Sequence, residues 1–146
     1  MTVDLRIDFQ GTGRLKALMR KQGYGDKAIY YYLEKPFMGS LSDPDMSTSL
    51  TGDCGDTVDI TIKMDQDRIR DARFEVKGCA GSVSSAMALA DMIRGKTLDE
   101  AFNIKDGEIF FKLGSVPDDK VHCIQLAVQS LQNVIKEYRN RKQEQG

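Results

Sequence analysis

Arg68-Ile69-Arg70-Asp71-Ala72-Arg73-Phe74-Glu75-Val76-Lys77-Gly78-Cys79-Ala80-Gly81-Ser82 is the stretch around which the rest of the chain is organised. Its first part alternates as a strand does, with Ala72, Phe74 and Val76 on one face. Ile69 is out of phase with them, which predicts a bulge near Arg70-Asp71. Beyond it, Val83, Ala86, Met87, Ala90 and Ile93 recur at helical spacing, and Gly95 suits the position just past a helix end. A strand therefore gives way to a helix starting at Gly81 or Ser82, and Cys79 sits at the junction. A helix N-terminus carries unpaired N–H groups and partial positive charge. A cysteine there is predicted to have a lowered pKa and to act as a thiolate, as a nucleophile or a metal ligand.

Working back towards the N-terminus, Thr57–Met64 is the clearest strand, with Val58, Ile60, Ile62 and Met64 opposite Asp59, Thr61 and Lys63. Asp65-Gln66-Asp67 reads as the turn of an antiparallel hairpin. Cys54 lies 12 residues before Gln66 and Cys79 lies 13 after it. Equal offsets from a hairpin turn fall side by side, so the two cysteines are expected to meet at its open end. Gly52, Gly55 and Gly78 flank them and allow close backbone approach. Asp56, two residues after Cys54, would share its face at strand spacing.

Further back, Phe37–Leu50 is loop-like, with Gly39, Pro44 and several Ser and Asp residues. Asp26 is expected to cap a helix over Lys27–Leu33 that Pro36 ends, its three tyrosines, Tyr30 to Tyr32, mostly packing. Arg14–Lys21 reads as a short helix broken by Gly23-Tyr24-Gly25. Met1–Phe9 alternates Val3, Leu5, Ile7 and Phe9 with polar residues, a short strand pattern.

Towards the C-terminus, Thr97 and Glu100 form a capping-box pattern, and Ile104–Leu113 holds another helical turn or two before Gly114. Pro117, with Asp118 and Asp119, opens a long final helix to about Tyr138, striped by Val121, Ile124, Val128, Leu131, Ile135 and Tyr138. His122 and Cys123 fall in its first turns, a second helix start that carries a cysteine. The polar run after Tyr138 is expected to fray. The organisation read from this is an extension over residues 1–25, one domain over 26–140 and a frayed tail over 141–146.

The bulk properties narrow the function classes. The chain has 146 residues, 40% hydrophobic and 29% charged, with a net charge of −1. That balance gives no basic excess for nucleic acid, and no apolar run approaches a membrane span. Without a signal-like or transit-like start, a cytoplasmic protein is expected. Three cysteines, an odd number, make a disulfide framework a poor reading. The candidate ligands are Cys54, Asp56, Cys79, His122 and Cys123. Thiolate and imidazole suit zinc or an iron–sulfur cluster. The paired knuckles of structural zinc sites are absent from the sequence, and three thiolates fall short of the usual four for a cluster.

Several motifs then fall into a known order. Tyr32-Leu33-Glu34-Lys35-Pro36 followed by Gly39, Cys54-Gly55-Asp56, Gly78-Cys79, Gly95-Lys96-Thr97-Leu98-Asp99-Glu100-Ala101 and His122-Cys123 resemble the U-type iron–sulfur cluster scaffold family, IscU and the N-terminal domain of NifU. The resemblance spans roughly Asp26 to Tyr138. It implies an α+β fold of the SufE/NifU type: a small antiparallel sheet of about three strands, helices packed on it and a long C-terminal helix. It implies a scaffold rather than an enzyme, assembling a 2Fe–2S cluster on Cys54, Cys79 and Cys123 and passing it to apo-proteins. Asp56 and His122 are then the alternative fourth ligands, and Fe2+ or Zn2+ the alternative occupants. Sulfur would come from a cysteine desulfurase as a persulfide, with Cys123 the favoured acceptor, and electrons from a ferredoxin or other donor.

The family's bacterial members carry Leu-Pro-Pro-Val-Lys before His-Cys, a segment read by a dedicated chaperone. Here Val116-Pro117-Asp118-Asp119-Lys120 keeps only the proline and lysine, so the resemblance does not carry that partnership over. The surface of Met1–Gly25 leaves a homodimer open. The nearest rival reading is a zinc-dependent persulfide relay on the same fold. A cysteine hydrolase using Cys123 and His122 is weaker, because neighbours on a helix point about 100° apart.

Overall fold

The computed structural model describes residues 13–145, so the strand pattern over Met1–Phe9 lies outside the described residues. Helix α1 covers residues 13–22. It is followed by α2 (Asp26–Glu34), β1 (Met46–Thr51), β2 (Thr57–Asp65), β3 (Arg68–Lys77), α3 (Ala80–Ile93), α4 (Leu98–Phe102), α5 (Asp106–Leu113) and α6 (Val121–Gln145). The strands form one antiparallel sheet in the order β1-β2-β3.

The β2–β3 hairpin forms as its alternation predicts. Val58, Ile60 and Ile62 on β2 and Ala72 and Phe74 on β3 are buried. The bulge lies at Arg70, because Lys63 pairs with Asp71 while Met64 pairs with Ile69. The extra residue turns Ile69 back onto the buried face, which resolves its phase. Gln66, at φ 58°, makes the reversal.

The third strand comes from a stretch whose sequence reads as loop. Met46–Thr51, inside the stretch read as loop, pairs with β2 from Met46↔Ile62 to Thr51↔Thr57. Its alternation is concealed because only Met46 is fully buried and the outer positions are Ser and Thr. This has a direct consequence for the site: residues 52–56 become the reversal between β1 and β2 rather than an extension of β2.

Helices α3 and α6 lie against the sheet, while α2 and α5 pack on α3. That makes α3 the centre of the fold. It is buried from Gly81 to Ala90, serines included, and not merely along a stripe. The serine hydroxyls are satisfied: Ser84 Oγ donates to Ala28 O at 2.9 Å and Ser85 Oγ to Gly81 O at 2.7 Å. Small side chains allow neighbouring elements to approach α3 on all sides.

Other boundaries shift for identifiable reasons. Helix α2 is capped by Gly25, and Asp26 instead occupies its first turn, paired with Arg20 at 2.8 Å. Tyr31 is buried and donates to Asp91 Oδ2 at 2.7 Å, whereas Tyr30 is exposed. Helix α3 begins one residue earlier than expected, so Cys79 is its N-cap residue. The Thr97–Glu100 capping box forms with both hydrogen bonds in place. Helix α6 runs past Tyr138 to Gln145. Arg139 bonds Asp99 and lies over the Phe102 ring, and Arg141 reaches the carbonyl of Asp45. Tertiary contacts thus reach the polar end of the helix as far as Arg141.

Residues 13–25, the described part of the stretch read as an N-terminal extension, pack on the domain. Met19 and Tyr24 belong to the core, and the Gly25 N–H donates to Ser115 O at 2.8 Å. A Cβ on Gly25 would meet the Ser115 nitrogen at 2.9 Å, so the glycine permits this seam.

Candidate metal and sulfur site

Three elements deliver the site. The β1–β2 reversal ends at Asp56, α3 begins after Cys79, and α6 brings Cys123 in its first turn. The turn is closed by Gly55 N–H donating to Gly52 O and Gly52 N–H donating to Asp56 O, both at 2.9 Å. Gly55 has φ +91°, a conformation that glycine adopts without strain. The ligand atoms of Asp56, Cys79 and Cys123 all lie within 4.8 Å of one another. Cys79 Sγ is 3.5 Å from Cys123 Sγ and 3.4 Å from Asp56 Oδ2.

Two glycines make this convergence sterically possible. A Cβ on Gly78 would overlap the Asp56 carboxylate, falling 2.7 Å from Oδ2. A Cβ on Gly81 would sit 3.2 Å from Cys123 Sγ and 3.2 Å from Lys120 Cβ. The Gly-Cys-Ala-Gly pattern thus lets the turn and the start of α6 close on α3.

Asp56 Oδ2 accepts from Ser82 Oγ at 2.6 Å and from the Cys79 N–H at 3.4 Å. Burial works to raise its pKa, but hydrogen bonds from Ser82, Cys79 and Cys54 outweigh that and hold it below the usual carboxylate value. The two inner thiols share a proton. Hydrogen bonding from Cys123 brings Cys79 down to about 5, against opposing burial and with help from the Ser82 N–H and hydroxyl. Cys123 is pushed up, first as the donor to Cys79 and then by burial. Cys79 is therefore the thiolate and Cys123 the thiol, in keeping with Cys79's place at the N-terminus of α3.

Around them, Lys120 has its pKa raised, chiefly by the Cys79 charge. Tyr24 forms a back wall and is pushed up to about 12, first by burial and then by the charges on Cys79 and Cys123. Sequence reasoning missed Ser82 and Tyr24. The first was read only as a helix start and the second only as part of a helix breaker. Nothing local distinguishes them, because their role follows from chain segments meeting.

Cys54 is placed differently from expectation. It is exposed on the 52–56 reversal, beside Asp56 but outside the tight Asp56–Cys79–Cys123 group. The hairpin offset argument fails because β1 pairs with β2 only as far as Thr51↔Thr57, and the chain then turns before Cys54 can face Cys79. Asp56 likewise reaches the site through the turn, not through strand alternation. His122 is exposed, with Nε2 3.6 Å from Cys123 Sγ, so the imidazole does approach its neighbour despite the angular separation on the helix. Cys54 and His122 line one cleft of about 460 Å³ with Asp53, Gln125 and Leu126. Cys123, the sulfur acceptor that the resemblance favours, is 1% exposed.

The sequence family model described as NifU-like N terminal domain matches residues 23–145. The chain belongs to this family. The NifU-like domain here is 34% identical over 124 residues to the iron–sulfur cluster assembly scaffold protein IscU of Azotobacter vinelandii, covering 82% of this chain and 96% of that one. It is also 34% identical over 124 residues to the iron–sulfur cluster assembly protein IscU of Plasmodium falciparum, covering 82% and 76%. In fold, it matches the crystal structure of the N-terminal part of a NifU-like protein from Brucella abortus with a TM-score of 0.64, covering 84% and 98% at 20% identity. Among the described residues, no helix of this NifU-like domain is long and apolar enough to cross a membrane.

Proposed function

We propose that this chain is a scaffold on which a 2Fe–2S cluster is assembled from iron and desulfurase-derived persulfide sulfur, then passed to apo-proteins. The observation that carries the reading is the meeting of Asp56, Cys79 and Cys123 within 4.8 Å, in a chain of the NifU-like family. The cluster is cargo. Cys79 and Cys123 supply soft thiolate donors and Asp56 a harder oxygen. Cys54, on its exposed turn beside Asp56, swings inward to complete the set. His122, facing the same cleft, is the alternative fourth donor.

The partners of this reading are a cysteine desulfurase, an electron donor such as a ferredoxin, and apo iron–sulfur proteins. Cys123 is the sulfur acceptor by family analogy. Its burial means that the elements around it must open before a desulfurase persulfide can reach it.

The test is anaerobic reconstitution with ferrous iron, a desulfurase and cysteine. A 2Fe–2S absorbance spectrum with two irons per cluster supports the scaffold. A colourless protein that retains one zinc per chain and passes sulfur onward overturns it.

A further inference from the structure

We infer that Cys79 is the residue that releases sulfide from a persulfide on Cys123, by attacking its inner sulfur and forming a Cys79–Cys123 disulfide. This rests on the scaffold reading above and names a catalytic role that ligand duty alone does not require.

The geometry is direct. Cys123 Sγ, which becomes the inner sulfur of a persulfide, lies 3.5 Å from Cys79 Sγ. That is the separation at which bound reacting atoms are poised for attack. Cys54 is outside this contact, on the exposed turn. A Cβ on Gly81 would press on Cys123 Sγ at 3.2 Å, so the small residue preserves the room in which the two sulfurs face each other. Lys120 lines one cleft with Cys79 and stands on the same side as a proton source.

The step balances as a thiol–disulfide exchange. The Cys79 thiolate forms a bond to Cys123 Sγ, and the bond from Cys123 Sγ to the terminal sulfur breaks. The electron pair departs with the terminal sulfur. That sulfur takes a proton from the Lys120 ammonium and leaves as hydrosulfide, and solvent reprotonates Lys120. The terminal sulfur is reduced by two electrons, and the two cysteine sulfurs together are oxidised by two. No outside reductant is needed to make sulfide. The disulfide must be opened before both cysteines can bind iron, so the reaction that follows is a two-electron disulfide reduction.

The experiment uses the full, metal-free chain under anaerobic conditions with a persulfide-loaded cysteine desulfurase freed of excess cysteine and other small thiols. Sulfide is measured colorimetrically, and cysteine linkages by peptide mapping without reductant. The expected result is one Cys79–Cys123 linked peptide for each sulfide released. Cys79→Ser should leave the extra sulfur on Cys123 and lower sulfide yield at least tenfold. If that variant does not fold, the one-to-one ratio in the unmodified protein decides. Sulfur retained on Cys123 without sulfide, sulfur moved onto Cys79, or a link through Cys54 would each overturn the inference. Should one of these occur while iron and inorganic sulfide still reconstitute a cluster, the scaffold reading stands alone. If reconstitution also fails and Cys123 never carries sulfur, both fall.

Discussion

The Asp56 carboxylate occupies the space that a side chain on residue 78 would fill: a Cβ on Gly78 would fall 2.7 Å from Asp56 Oδ2. Residue 78 is glycine, so the turn after β1 can close on the start of α3. Gly78→Ala should displace Asp56, break its bond to Ser82 and lower stability by about 1–3 kcal/mol, as overpacking does. The check is urea denaturation of Gly78→Ala, Asp56→Gly and the double variant, because the Asp56 Cβ itself would lie 2.8 Å from a Cβ on residue 78. The double variant should regain stability relative to Gly78→Ala, since the two groups compete for one volume. Additive losses would show that the alanine does its damage elsewhere.

The three cysteines should differ in how much each matters for cluster binding. Cys79 and Cys123 face each other at 3.5 Å, whereas Cys54 must swing in from an exposed turn. Cys79→Ser and Cys123→Ser should each lower reconstituted cluster more than fivefold. Cys54→Ser should lower it too, and mainly by shortening the cluster's lifetime. Iron content and absorbance after anaerobic desalting measure both effects. If Cys79→Ser and Cys123→Ser keep the full iron content, cluster binding is not centred on this pair.

In the proposed ligand set Asp56 is the hard oxygen donor, so its bond to iron should exchange most readily. A scaffold has to surrender its product, and a weak bond gives acceptor thiolates a first point of attack. Asp56→Ala should still bind a cluster but transfer it at an altered rate, and Asp56→Cys should slow transfer severalfold by completing a four-thiolate set. Transfer to an apo-ferredoxin, followed by circular dichroism, reads this out. Equal rates in all three proteins would move the fourth-ligand role to His122.

Stability of the metal-free chain should depend on pH through the shared proton. Cys79 titrates at about 5 when folded, against about 8.5 for an unperturbed cysteine. The unfolded chain therefore binds more protons between those values, and stability from Cys79 is complete above the higher value and lost as pH falls towards the lower. Cys123 is raised, so its contribution is complete below the unfolded value and lost as pH climbs beyond it. Urea midpoints should rise from pH 5.5 to 8 and fall above 9. Cys79→Ser should flatten the rise; an unchanged slope in that variant would assign it to other groups.

The sequence by itself determined the elements whose signals are local. The alternation over Thr57–Lys77, the phase slip at Ile69, the Thr97–Glu100 capping box and the start of α3 beside Cys79 all follow from side-chain period and backbone chemistry within a few residues. The motif order around the cysteines pointed to the family, and the family model covers residues 23–145. What only the tertiary structure decided depends on segments distant in sequence. Met46–Thr51 becomes a strand because β2 has a free edge to pair with, although its own Ser and Thr residues give little alternation. That pairing turns residues 52–56 into a tight reversal, which draws Asp56 in and leaves Cys54 outside. Past Tyr138, Arg139 and Arg141 meet Asp99, Phe102 and Asp45, contacts with residues far away in the chain. The division of one proton between Cys79 and Cys123 is decided first by their mutual hydrogen bond, then by the burial of Cys123 and by the Ser82 N–H and hydroxyl at the start of α3, conditions that exist only once α3, α6 and the turn have closed on one another.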